Sequence, residues 1–189
     1  MTATIRSAAI GDEEALAKLN GFVQALHLAQ RPDHFKPTQI QELADWYKSL
    51  LEKPTARLWI AEEEGLPIGY VLAILHNAHE TPFTQDRRWC EIDQIAVDPK
   101  FRSRQGVARS LAFHAIDEAR AEGIHQVEAA SWSFNEETHE VFSPTGVRTK
   151  DREVRIQGPR VSGSEQKAAA QHRLTADGGR WNHEPWRPV

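Results

Sequence analysis

The sequence has a single cysteine, Cys90, among its 189 residues. That excludes a disulfide framework and a multi-thiolate zinc site, and it suits a reducing cytosol. Long apolar runs are also missing. The longest, residues 68–75, falls far short of the roughly 18 residues that a membrane helix needs, and no apolar h-region with a small-residue cleavage site occurs near the N-terminus. Basic charge is not in excess: 23 Lys and Arg stand against 27 Asp and Glu, a net charge of −4, which argues against a general nucleic-acid binder. Neither GxxxxGK[ST] nor GxGxxG occurs, so a P-loop and a dinucleotide fingerprint are both absent. No internal repeat is found. The expectation is a cytoplasmic chain with neither nucleic acid nor membrane as partner.

What is present is enough for a core. Apolar residues make up 40% and charged residues 26%, the balance of an ordinary globular chain. Residues 2–7 read as a short strand. Asp12 is placed to cap a helix with Leu16, Leu19, Val23 and Leu26 on one face, and Thr38 to cap a second with Ile40, Leu43, Tyr47, Leu50 and Leu51 on its buried side. Residues 57–62 read as a strand, 68–75 as a central strand buried on both faces, and 89–97 as another. The polar stretch 76–88 reads as a loop. A basic loop, 100–106, leads into a helix with the stripe Val107, Leu111, Ala115, Ile116 and Ala119, and Gly123 sits where a helix C′ residue belongs. A strand over 125–132 follows, then a short helix capped by Asn135, then a last strand over 152–156.

The composition shifts after Gln157. Residues 158–189 hold only three aliphatic side chains larger than alanine (Val161, Leu174 and Val189), with four glycines and three prolines. Such a segment buries too little to offset its ordering entropy by itself, and it reads like translation in an unselected frame. The expected organisation is an α/β domain over 1–157 and an irregular tail over 158–189.

The stretch most informative for chemistry is residues 91–111, EIDQIAVDPKFRSRQGVARSL. A strand feeds an arginine-bearing loop, and a glycine then opens an amphipathic helix. Backbone N–H groups at such a helix start cradle an anion, and the helix dipole adds positive charge. Gly106 has no side chain to obstruct a pyrophosphate, and Arg102, Arg104 and Arg109 can make charge-assisted contacts. The implied chemistry is binding of a phosphorylated cofactor.

The pattern strand, D-P-x-[FY]-R, loop, Q-G-V-A, helix, followed by a strand and Trp-Ser-Phe-Asn135, resembles the GNAT superfamily of acetyl-CoA-dependent N-acetyltransferases over about residues 3–147. The resemblance implies a central twisted, mostly antiparallel sheet flanked by helices, with acetyl-CoA as co-substrate. It implies that Ile95, Ala96 and Val97 pair with the pantetheine as an added strand would. Arg102, Ser103, Arg104, Gln105, Gly106, Val107, Ala108 and Arg109 would hold the pyrophosphate, and Asn135 would reach the pantetheine or its thioester end. Ser103 stands where the family loop usually has Gln or Arg. Glu91 matches the strand that carries a catalytic glutamate in histone-acetylating members, and Asp93, two residues on, shares its strand face. Phe142 stands where many members have a tyrosine that protonates the departing thiolate; Tyr70 is a remote substitute.

Other features point less far. His76, His79 and Glu80 lack a fixed further ligand, so no metal site is expected. Cys90 reads as a buried, inert thiol. His27 and the 31–37 connector lie where the family's first helices flank the acceptor groove. Three functions stand: N-acetylation of a small-molecule amine, acetylation of a protein α-amine or lysine, or non-catalytic acyl-CoA binding. Pairing as a homodimer is a further expectation from the family.

Overall fold

Alternation along the strands sorts their side chains onto two faces of one sheet, and helices cover both. The computed structural model describes residues 3–102, 106–142 and 148–151, all within one compact unit, Met1–Glu153. The strands are β1 (Thr4–Ser7), β2 (Ala56–Glu63), β3 (Leu66–Ala78), β4 (Arg87–Val97), β5 (Val127–Ser131) and β6 (Arg148–Asp151). The helices are α1 (Glu13–Gln30), α2 (Ile40–Leu51), α3 (Pro99–Arg102), α4 (Val107–Ala121) and α5 (Glu136–Phe142). The strands lie in sequence order in a single sheet. β1 to β4 pair antiparallel, whereas β4–β5 and β5–β6 pair parallel. Mixed α/β architecture with a mostly antiparallel sheet is therefore observed as expected.

β3 is the central strand that its apolar run predicts. Tyr70 and Leu72 enter a core formed with Leu16 and Leu19 of α1 and Tyr47 and Leu50 of α2. Val71 and Ala73 enter the opposite core, with Leu111, Ala115 and Ile116 of α4. Gly69 marks where β3, β4 and α4 come closest: a Cβ there would lie 2.9 Å from the Ala96 carbonyl oxygen and 3.3 Å from Leu111 Cδ1. Only glycine fits that approach.

Several local expectations need correction. Asp12 occupies the N-cap position of α1 but makes no side-chain cap; its carboxylate instead takes a two-pronged contact from Arg6, at 2.8 Å each, and the Ala9 N–H. The guanidinium holds that carboxyl below its usual range. The N-cap of α2 is Gln39, because the Thr38 hydroxyl turns back to the Lys36 carbonyl. The polar stretch 76–88 is shorter as a loop than expected: pairing of His76 with Trp89, Asn77 with Arg88 and Ala78 with Arg87 extends the β3–β4 hairpin, and the His76 and Trp89 rings stack at 4.6 Å. Residues 99–102 of the basic segment form the helical turn α3. The strand expected at 152–156 and the tail 158–189 lie outside the described residues. Among those described, no helix is long and apolar enough to cross a membrane.

Candidate active site

The site begins where two strands part. β4 and β5 pair only through Cys90 with Val127, Glu91 with Glu128 and Ile92 with Ala129, yet β4 runs on to Val97. On its other side β4 carries a bulge: Leu72 faces Gln94 and Ala73 faces Ile92, so Asp93 is the extra residue. Bulges of this kind re-aim side chains beside functional sites. Ile92 thus points into the α4 core, and Gln94 points to the opposite face, toward Tyr47 and Tyr70.

Two adjoining clefts open along the parted strands. One, of about 700 Å³, is lined by Ile95, Ala96, Val97, Arg102, Gly106, Val107, Ala108, Arg109, Asn135 and Glu140, among others. Every described residue expected to bind the cofactor is in this set; Ser103, Arg104 and Gln105 lie outside the described residues. Gly106 is the N-cap of α4 with φ of 118°, a backbone conformation that L side chains avoid. A Cβ there would meet none of the described residues within 4 Å, so none of them obstructs the helix start. Arg102 donates from Nε to the Val97 carbonyl at 3.2 Å, which ties the basic segment to the end of β4. The residues fit a pyrophosphate: a bare helix start, two arginines and an uncovered strand segment.

The second cleft, of about 570 Å³, is lined by Asp93, Gln94, Asn20, His27, His34, Phe35, Glu42, Trp46, Trp132 and Phe142, among others. Val23, Ile95, Asn135 and Thr138 line both clefts, so the two meet there. Asn135 caps α5 as its sequence position predicts, its Oδ1 accepting the Thr138 N–H at 3.4 Å. That leaves the Nδ2 hydrogens as its outward donors. Of the two carboxylates singled out in the sequence, Asp93 lines the second cleft and Glu91 lines neither. Glu91 instead lies 3.0 Å from His76 Nε2.

Below Asp93 lies a polar cluster that sequence reasoning missed. Gln94 Oε1 accepts from the Tyr47 hydroxyl at 2.7 Å and the Tyr70 hydroxyl at 2.8 Å, and Asn20 Nδ2 donates to the Tyr70 oxygen at 2.9 Å. Burial raises the Tyr70 phenol to about 12 and the Tyr47 phenol well above its ordinary value, with the Asp93 charge adding to both. Tyr70 is fully buried, which removes it as a substitute proton donor to a thiolate. A signal was available: apolar residues at 92, 95 and 97 break the two-residue period once, as a bulge does. Phe142 lines the second cleft and is itself buried, so no hydroxyl enters at its position. Cys90 is buried and its thiol is pushed up to about 11, chiefly by desolvation; it is inert, as expected.

The sequence model of the Acetyltransferase (GNAT) family matches residues 23–146, which span both clefts. The chain belongs to this family of acetyltransferases. No curated protein sequence matches it. Among solved structures, this GNAT chain is similar to a tetramutant of the BH1408 protein from Bacillus halodurans, with 20% identity, a TM-score of 0.74, and coverage of 81% of this chain and 98% of that one. It is similar to an aminoglycoside N-acetyltransferase in complex with CoA, with 17% identity, a TM-score of 0.63, and coverage of 85% and 96%. It is also similar to a ribosomal-protein-alanine N-acetyltransferase from Brucella melitensis biovar Abortus 2308, with 18% identity, a TM-score of 0.61, and coverage of 82% and 98%. At such identities the likeness is one of fold, and the acceptors in the names of the last two, an aminoglycoside and a ribosomal-protein alanine, differ.

Proposed function

We propose that this GNAT chain transfers the acetyl group of acetyl-CoA directly to a primary amine of a small molecule. The observation that carries the reading is the change of charge along one continuous groove. Among the described lining residues, Arg102 and Arg109, against the single carboxylate of Glu140, mark the end that includes the start of α4. Asp93 and Glu42, with neither Lys nor Arg among the described lining residues, mark the other end. A polyanionic cofactor suits the first and an ammonium the second.

The co-substrate supplies an activated acetyl thioester. Gly106 and the N–H groups that open α4, with Arg102 and Arg109, hold its phosphates, and the segment of β4 beyond Ile92 offers unpaired backbone to its amide arm. An alkyl amine of pKa about 10.4 is neutral only about once in a thousand molecules near pH 7.4, so a positioned base is worth roughly 10²–10⁴-fold. Asp93, in the amine-side cleft, takes that proton directly or through one water. A thiol of pKa about 8.5 leaves without a dedicated acid, in keeping with Phe142. Asn135, where the clefts meet, orients the thioester end with its Nδ2 donors.

The test is calorimetric titration of acetyl-CoA into the chain and into Gly106→Glu, followed by thiol release with a panel of amines. Saturable binding that Gly106→Glu abolishes, with turnover of at least one small amine, supports the reading. Binding without turnover of any amine leaves an acyl-CoA-binding module instead, and absence of binding refutes both.

A further inference from the structure

The amine-side cleft holds more than charge, and its walls describe the body to which the amine is attached. Three segments remote in sequence bring rings together: His27 on α1, His34 and Phe35 in the α1–α2 connector, and Trp132 after β5. The Phe35 ring stacks on His27 at 4.7 Å and meets Trp132 edge-on at 5.4 Å, and His34 meets Trp132 at 5.2 Å. All four line the cleft together with Trp46. The wall is held in place from behind. Arg31 lies over the Trp132 ring at 5.2 Å and is itself forked onto Asp33 at 2.8 and 3.0 Å. These mutual contacts are made before any ligand arrives, which lowers the ordering cost of binding.

Two further observations narrow the class. Among the described lining residues the carboxylates are Asp93 and Glu42, and Glu42 is ion-paired with Lys36 at 3.0 Å. That complement matches one ammonium group rather than the several of a polyamine or an aminosugar. Second, Trp132 is only 8% exposed, yet its Nε1–H has no acceptor among the described residues. A buried donor of that kind favours a ligand that brings an acceptor atom.

We propose that the acceptor is a small monocationic arylalkylamine: a planar ring bearing a hydroxyl or other hydrogen-bond acceptor, joined by a short alkyl chain to a primary amine. This rests on the acetyl-transfer reading above. The ring packs on Phe35, His27 and the edge of Trp132, in the offset and edge-on contacts aromatic rings prefer, while its polar substituent accepts from Trp132 Nε1–H. The chain then points the nitrogen toward Asp93 and the junction at Asn135. In the transfer the amine nitrogen forms a bond to the acetyl carbon and the carbon–sulfur bond breaks with its electron pair on sulfur. The ammonium gives one proton to Asp93 before the attack and the nitrogen loses a second as the amide forms; both pass to solvent, from which the thiolate is protonated. A cleft of about 570 Å³ accommodates a ring and a two-carbon chain, being within the usual range for small-molecule sites.

The experiment measures thiol release from acetyl-CoA with phenethylamine, tyramine, cyclohexylethylamine, hexylamine, spermidine and an aminosugar, using the full chain. The expected kcat/KM for the two aryl amines is at least tenfold above that for hexylamine and cyclohexylethylamine, with tyramine ahead of phenethylamine. In Trp132→Phe the tyramine-to-phenethylamine ratio of kcat/KM is expected to fall to about one, and in Phe35→Leu both aryl amines are expected to fall about tenfold toward the hexylamine rate. Acetyl-CoA titration of each variant checks that it is folded, and the wild-type ranking stands without any variant. A wild-type preference for spermidine, the aminosugar or the non-planar amines overturns this proposal and leaves acetyl transfer intact. Turnover of none of the six by a chain that binds acetyl-CoA overturns it together with the small-amine reading.

Discussion

The Tyr47 hydroxyl stands 2.7 Å from Gln94 Oε1, joining helix α2 to the strand residue that follows Asp93. Gln94 Oε1 accepts from both phenols and, at 3.3 Å, from Asn20 Nδ2. Removing one donor therefore differs from removing the shared acceptor. Tyr47→Phe is expected to cost about 1 kcal/mol of stability, the ordinary net worth of one such bond. Gln94→Ala leaves the phenols only each other as acceptors, at 2.8 Å, so one buried hydroxyl loses its acceptor, and the expected cost is roughly 2–3 kcal/mol. Urea unfolding measures both, and equal losses would show that the cluster is not held through Gln94.

Tyr47 and Tyr70 are the chain's only tyrosines, so an ultraviolet titration reads this cluster alone. Burial raises both phenols, Tyr70 to about 12, whereas an unfolded tyrosine loses its proton near 10. Between those values the folded state holds more protons than the unfolded, and stability falls as pH rises. At pH 11 the Tyr70 contribution is a loss of about 1.4 kcal/mol relative to neutral pH. Tyrosinate absorbance is expected to appear only with unfolding. A smooth rise near pH 10 in the folded chain would contradict it.

Gly69→Ala tests the close approach under the cofactor-side cleft. The new Cβ would lie 2.9 Å from the Ala96 carbonyl oxygen, a backbone atom that cannot swing aside. Overpacking of this kind costs about 1–3 kcal/mol. The displaced strand is the one proposed to meet the cofactor's amide arm, so weaker acetyl-CoA binding is expected with the lower urea midpoint. Unchanged midpoint and affinity would mean that β4 yields freely there.

The two carboxylates of β4 are separable by substitution. Asp93→Asn is expected to lower kcat by about 10²–10⁴-fold with acetyl-CoA binding retained. Glu91→Gln, whose carboxylate meets His76 and not the cleft, is expected to have a much smaller effect. The reverse order in steady-state kinetics would transfer the proton-accepting role to Glu91.

Cys90 is expected to resist aqueous thiol reagents in the folded chain, because its thiol is buried and pushed up to about 11. Thiolate is the reacting species. Labelling at pH 8 should track unfolding in urea, and rapid labelling without denaturant would refute the burial.

Much of the fold was legible. Element order, the doubly buried β3 and the amphipathic α1, α2 and α4 follow from apolar spacing, and Gly106 and Gly123 from helix-end chemistry. Both glycines do take positive φ, 118° and 75°. The misses share a cause: side chains chose tertiary partners that local pattern does not reveal. Asp12 gave its carboxylate to Arg6, and the polar 76–88 segment gained strand pairing from backbone bonds that ignore side-chain character. At the site, the cofactor half was readable because a glycine, arginines and a helix start are contiguous in sequence. The amine half was legible only in part: Asp93, His27 and the 31–37 connector were singled out, whereas Asn20, Trp46 and Gln94 come from other segments and join them only through the fold.

The bulge at Asp93 has a consequence for how this chain tolerates loss of a residue. Leu72 and Ala73 are adjacent in β3 and pair with Gln94 and Ile92. Deleting Asp93 would make Ile92 and Gln94 adjacent too, restoring a regular ladder in which every remaining side chain of β4 keeps its face. A deletion within a buried strand ordinarily turns its pattern inside out; this one would not. The shortened chain is expected to fold and to bind acetyl-CoA but not to turn over amine. In that sense Asp93 is an insertion for which the architecture has no need.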